Sequence, residues 1–280
     1  MASAFVIGLL FTTIIKTVGS VKNGAMDMEV NSLDDQYLQC HEEMLRRVLE
    51  SEGLLETELQ ANPKFATAWE KGKTCAKSIP GGKPEHGIAI AAYTCDKIFY
   101  VEFNRAMSSA GTNTSIYISD FQYKSLHFLL NDAGRLLGGS RKCQYVDSGS
   151  HKIQNATQIG AEVRLGHFAC SSPSLLPFCN TLYLIKTCHA VNIREYSCFE
   201  DIDMLMSPSE VFLVEAVTRF DNGRVNISLT SSGMYTRHDC FFSPRSPSST
   251  DSSGQIVSSS WLVLLSASLT LRLREIRNAL

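Results

Sequence analysis

The chain has 280 residues, a net charge of -2 and a pI near 6.4, which is enough for one good-sized domain and offers no basic field for nucleic acid. Charged residues make up 19%, below the roughly 25% of an average soluble protein, and two apolar ends account for much of the deficit. Nine cysteines are present without a C-x-x-C pair or a His/Cys cluster at zinc spacing, so disulfides are expected and a metal site is not.

Residues 4–15, AFVIGLLFTTII, form an apolar run too short to span a bilayer comfortably, and Gly19 and Ser20 follow it. This reads as a secretory signal peptide over 1–20, with its end between 19 and 25, although no Lys or Arg precedes Lys16. Residues 33–80 are predicted helical. Met44, Val48, Leu55 and Leu59 recur at helix spacing, and Gly53 is placed to separate two helices. Trp69 reads as a core anchor. HGIAIAAYT (86–94) reads as a packed core strand, with His86 and Tyr93 in the core rather than acting as ligands. A further helix is predicted over 121–137. Ser119 and Gln122 would form a capping box, Phe121, Leu126, Leu129, Leu130, Ala133 and Leu137 the apolar stripe, and Gly138 the stop.

Beyond about residue 140 the texture changes. KCQYV, AEVRLGHFA, TLYLIKTC, VFLVEAV and RVNISLT are short runs rich in Val, Leu, Tyr and Phe. Within them Val163, Leu165 and His167 alternate with Arg164, Gly166 and Phe168, and strands are predicted. His167 is assigned a structural role. Helices followed by strands indicate an α+β fold over residues 21–242. Sequons at Asn113, Asn155 and Asn226 are glycosylation candidates in a secreted chain. A Ser/Pro-rich stalk covers 243–255 and an apolar tail 256–280, which includes Trp261. Small polar residues at Ser246 to Ser249, a spacer and the tail suit a lipid-anchor signal. Arg272, Arg274 and Arg277 suit a short membrane helix with a basic stop instead. Either one would put the domain on the extracellular face of the plasma membrane, held to the membrane by the tail.

DDQYLQC (34–40), FATAW (65–69), HGIAIAAYT (86–94), FNRAM (103–107), YKSLHFLL (123–130), VRLGHFA (163–169) and SEVFLV (209–214) occur in this order. Together they resemble the vertebrate arginine-specific mono-ADP-ribosyltransferases of the cell surface, over about residues 33–242. The resemblance implies helices leading into a split β-sandwich that holds NAD as a substrate, without a metal. It implies disulfides Cys40–Cys240 and Cys143–Cys188, and leaves Cys75, Cys95, Cys170, Cys179 and Cys198 unassigned.

The activity so implied is transfer of ADP-ribose from NAD to arginine side chains of extracellular proteins, with release of nicotinamide. The family's signature is an Arg that grips NAD, a Ser in an S-x-S strand and the second Glu of an E-x-E turn. Here Ser148 takes the Arg position, followed by Gly149, and Cys170-Ser171-Ser172 takes S-x-S. Asp201-Ile202-Asp203 takes E-x-E, so Asp203 would be the catalytic carboxylate and Asp201 the acceptor-facing one. Glu200 would substitute only if the turn slid by a residue. Ser lacks the charge and the planar fork of Arg, Cys is a weaker hydrogen-bond donor than Ser, and each Asp is one methylene shorter than Glu. Two functions therefore follow from the sequence. One is an NAD-dependent transferase with a relaxed signature. The other is a catalytically inactive surface protein that binds or recognises a partner on the same scaffold.

Overall fold

The computed structural model describes residues 24–138, 142–171 and 177–241. The signal stretch, Ser172, the stalk and the apolar tail lie outside the described residues. Helices come first: α1 His41–Leu49, α2 Leu54–Ala61, α3 Pro63–Lys73, α4 Pro84–Thr94, α5 Lys97–Ala110, α6 Thr114–Ser119 and α7 Lys124–Leu137. The strands follow: β1 Gln144–Ser150, β2 Glu162–Arg164, β3 Ala169–Ser171, β4 Thr181–Thr187, β5 Val191–Asn192, β6 Met204–Met206, β7 Glu210–Arg219 and β8 Val225–Met234. The α+β class expected from the sequence is the class observed.

Three local expectations in the helical half are corrected. The stretch 33–80 holds three helices, not two. Gly53 caps α2 as expected, but Asn62-Pro63 opens α3, where the Asn62 side chain accepts the N–H of Phe65 and Pro63 occupies the first turn. HGIAIAAYT is helix α4 rather than a strand. It is buried almost all round, so no polar face marks its period, and a short apolar run of this kind does not separate helix from strand. Gly72 of α3 explains the close packing of α4, because a Cβ there would stand 2.7 Å from the Ala92 nitrogen. The capping box at Ser119 does not form. Ser119 ends α6, and α7 starts at Lys124 with a tertiary cap: the Glu58 carboxylate of α2 accepts the N–H of Lys124 at 2.8 Å and of Ser125 at 2.9 Å. A buried carboxylate at a helix N-terminus satisfies orphan donors and favours the dipole, which makes a local cap unnecessary.

The local cap at Asn62 gives a small, clean prediction. Asn62→Ala is expected to destabilise the fold by about 1 kcal/mol, lowering Tm by roughly 2–4 °C in thermal unfolding.

The strands form two sheets, one of order β1-β4-β8-β7-β2 and one of order β3-β6-β5. Pairing is antiparallel except between β4 and β8, which run parallel. Alternation along the small sheet sorts its side chains between two cores. Ala169, Met204 and Met206 join Val146, Ile185, Phe212 and Ile227 of the large sheet. Phe168, Val191 and Leu205 join Tyr93, Phe103 and Leu129 of the helices, and Cys170 packs against that helical cluster. The small sheet is thus the middle layer between the helices and the large sheet. AEVRLGHFA is split between β2 and β3 of different sheets, and Gly166 turns the corner at a φ of 69°.

The N-terminal segment is bound to the sheet end by two aspartates. Arg164 and Asp34 are both fully buried and meet at 2.7 Å. Arg164 also donates to the backbone carbonyls of Met28, Glu29 and Tyr235. These partners for its donors offset the cost of burying the guanidinium. Asp35 accepts the N–H groups of Tyr37, Cys240 and Phe241. Disulfides join Cys40 to Cys240, Cys143 to Cys188 and Cys75 to Cys198. The first and second are the pairs that the resemblance implies.

Candidate active site

The expected site residues gather where β1, β3 and β6 adjoin. On β1, Ser148 is buried, and its Oγ donates to the Cys170 carbonyl of β3 at 3.1 Å. Gly149, exposed, pairs with Leu182. On β3, Cys170 pairs with Leu205 and Ser171 with Met204 of β6. The Asp203 N–H, one residue before β6, donates to the Ser171 carbonyl at 3.2 Å. Short hydrogen-bonded steps therefore lead from Ser148 through β3 to Asp203. Asp201 and Glu200 stand on the turn just before it.

The residues do not share one face. Alternation places Cys170 and Ser171 on opposite sides of β3, with the Cys170 sulfur toward the helical core. Only one of these two side chains can line a cleft on either side of the sheet. Burial pushes the Cys170 thiol up to about 12, so it stays protonated and is no nucleophile at neutral pH. His167 is also held neutral, its pKa pushed down to about 4 by burial.

Arg194 adjoins the candidate site and is not among the residues expected from the sequence. Ile193 N–H donates to the Asp203 carbonyl at 2.8 Å, which continues the pairing of β5 with β6 and sets Arg194 beside Asp203. Arg194 donates through Nε to one Asp203 carboxylate oxygen at 2.6 Å and through Nη2 to the other at 2.9 Å. The arginine side chain is 62% exposed. Hydrogen bonding to Asp203 raises its pKa above the ordinary value, so it is charged at any pH of interest. The sequence signal was a basic residue nine positions before an acid, but strand β5 has only two residues and its hairpin register is not readable without the fold.

The Cys75–Cys198 disulfide, also unassigned by the sequence reading, fixes the same loop from the other side. It ties the end of α3 to the segment just before Asp201, and the Cys198 N–H donates to Thr94 Oγ1 of α4 at 3.2 Å. A bridge at this point limits how far the carboxylate turn can slide, which argues against Glu200 replacing Asp203.

A cavity of about 1220 Å³ opens between α1, α7 and the strands β5 and β6. His41, Asp132, Arg135, Asn192 and Leu205 are among its walls, and none of Ser148, Cys170 and Asp203 is. Asp132 there is committed to His41, His86 and Arg135, and these hydrogen bonds outweigh the effect of burial and hold its pKa at about 2. That carboxylate ties three helices together, whereas Asp203 stands at a strand junction with a partly exposed counter-ion. The junction is therefore the stronger candidate for chemistry. Among the sequons, Asn113 is exposed and caps α6 through Oδ1, Asn155 is exposed, and Asn226 lies half-buried within β8.

Comparisons with known proteins agree with the fold and the order of motifs. The profile of the family described as NAD:arginine ADP-ribosyltransferase matches residues 26–236. NAD(P)(+)--arginine ADP-ribosyltransferase 2 of Gallus gallus is 35% identical over 230 residues, covering 77% of this chain and 72% of that protein. GPI-linked NAD(P)(+)--arginine ADP-ribosyltransferase 1 of Mus musculus is 34% identical over 237 residues, with the same coverage. The crystal structure of the eukaryotic mono-ADP-ribosyltransferase ART2.2 superposes with a TM-score of 0.64 at 28% identity, covering 77% of this chain and 98% of that one. A mutant of that enzyme has been crystallised with NADH, at a TM-score of 0.62. With a profile match across nearly the whole described domain and relatives above 30% identity, the chain belongs to the NAD:arginine ADP-ribosyltransferase family.

Proposed function

We propose that the protein is an NAD-dependent mono-ADP-ribosyltransferase that modifies arginine side chains of extracellular proteins, with Asp203 as the catalytic carboxylate and low turnover. The supporting observation is the convergence of Ser148, the β3 strand and Asp203 at one strand junction, joined by hydrogen bonds of 3.1 and 3.2 Å. A carboxylate at that place can accept a hydroxyl of the nicotinamide ribose and stabilise positive charge as the bond to nicotinamide breaks. Asp201, two residues earlier on the same turn, would face the acceptor guanidinium. Gly149 would allow close approach of the dinucleotide, and Ser171 and Ser172 would line the NAD cleft.

Turnover is low on this reading for two physical reasons. Asp is one methylene shorter than Glu, and a misplacement of about 1 Å costs roughly 10²-fold. Ser148 brings no charge to the NAD phosphates. Three disulfides fit an oxidising compartment, and GPI-linked relatives fit attachment at the extracellular face of the plasma membrane, through a lipid anchor or a short membrane helix in the tail. Among the described residues no helix is long and apolar enough to cross a membrane.

A second reading is favoured by two side-chain commitments. The Ser148 hydroxyl is given to a backbone carbonyl, and the Asp203 carboxylate is forked by Arg194. A scaffold so occupied would act as a binding or recognition module without chemistry. Incubating the full chain with labelled NAD and an arginine-rich acceptor protein separates the two. The transferase reading expects slow labelling of the acceptor and release of nicotinamide. No labelling at millimolar NAD, with the fold intact, sinks it and leaves the recognition module.

A further inference from the structure

We propose that Arg194 is a phosphate-binding residue of the NAD cleft, which exchanges the Asp203 carboxylate for the pyrophosphate as the dinucleotide enters and thereby uncovers Asp203. The inference rests on the reading of the cleft given above. It starts from charge. A dinucleotide brings two negative phosphates, and Ser148 and Cys170 are neutral at the strand junction. The turn beside them carries Glu200, Asp201 and Asp203, so an incoming anion is repelled unless a cation comes between.

Arg164, which precedes β3, is fully buried against Asp34 and donates to three backbone carbonyls. Arg194 differs in both respects. Its side chain is 62% exposed, and its partner is a carboxylate that is itself partly exposed, so the pair is open to exchange with an anion from solvent. A guanidinium presents the same planar fork to a phosphate as to a carboxylate. The pair it leaves behind is the carboxylate that must then meet the ribose. Binding and unmasking are therefore one event, and the empty cleft keeps its carboxylate neutralised.

The test titrates full chain, unaltered and with Arg194→Met or Arg194→Lys, with ADP-ribose, and with adenosine as a ligand lacking phosphate. The exchange predicts ADP-ribose binding about tenfold weaker for Arg194→Met, an intermediate loss for Arg194→Lys, and no change for adenosine. It also predicts that added salt weakens ADP-ribose binding to the unaltered chain more than to Arg194→Met. Melting temperatures should stay close to that of the unaltered chain, because the pair is exposed. Equal or tighter ADP-ribose binding by Arg194→Met overturns the proposal and makes Arg194 a simple block on Asp203. Absence of ADP-ribose binding by the unaltered chain overturns it as well. Retained, Arg194-dependent binding without transfer to arginine leaves this inference standing and removes the transferase reading instead.

Discussion

Ser148→Arg, Cys170→Ser and Asp203→Glu combined are expected to raise kcat/KM for transfer from NAD to an arginine acceptor about 10³-fold. Two of the three exchanges carry the gain. Asp203→Glu lengthens the carboxylate by one methylene and recovers roughly the 10²-fold that a 1 Å misplacement removes. Ser148→Arg adds a guanidinium to the strand junction, where charged hydrogen bonds to phosphate contribute roughly 1.5–3 kcal/mol each, a further tenfold or more. Cys170→Ser contributes little, because that side chain faces the helical core, where a hydroxyl gains no evident partner. The single variants therefore rank with Asp203→Glu first in kcat, Ser148→Arg first in KM, and Cys170→Ser near unity. Steady-state transfer kinetics give the ranking directly. A triple variant no faster than the unaltered chain would mean that these positions are not the signature positions. Coupling is expected between Ser148→Arg and a substitution at Arg194, since the two guanidinium groups would compete for the same phosphates.

Arg164→Met is expected to destabilise the domain by about 3–5 kcal/mol in chemical denaturation. The partner left behind decides the size of the effect. Asp34 is fully buried, and removing its guanidinium leaves a charge out of water with only His238 and backbone N–H groups to hold it. The same variant should change the acid limb of stability. Burial raises the Asp34 pKa, but the His238 hydrogen bond and then the Arg164 hydrogen bond and charge outweigh it, and the net shift is downward. A carboxylate with a depressed folded pKa stabilises fully above its unfolded value of about 3.9, and loses that contribution as pH falls through the folded value. Stability of the unaltered chain should thus fall below about pH 4, and Arg164→Met should show a shallower fall because less of the depression remains. Equal slopes would place the acid sensitivity on another carboxylate.

Much of this architecture was legible because it rests on local patterns and on cysteines. The change from helical to alternating texture near residue 140 is where α7 ends and β1 begins. What failed to read was decided at a distance. The α7 start was misjudged because its cap is Glu58, 66 residues away, not Ser119. HGIAIAAYT was misread as a strand because a helix packed on every side shows no polar face. The burial of Arg164 is not readable from the alternation, because no sequence rule reveals Asp34 as its buried partner, 130 residues away. At the site, the residues from β1, β3 and the turn before β6 could be named from ordered motifs, whereas Arg194 depends on a two-residue strand and its register with β6. The Cys75–Cys198 bridge depends on helix α3 ending beside that same loop. The frame of the fold was thus more legible than the ion pairs within it.

The central claim is that Asp203 carries the chemistry in this cleft. Single-turnover transfer of labelled ADP-ribose at saturating NAD, by the full chain and by Asp203→Asn, tests it most directly. Asn keeps the shape and removes the charge that would stabilise the transition state. The rate is predicted to fall by about 10² or more with no rise in KM for NAD, as for a group whose charge stabilises the transition state. Equal rates for the two proteins, or loss only through a raised KM, would contradict the assignment.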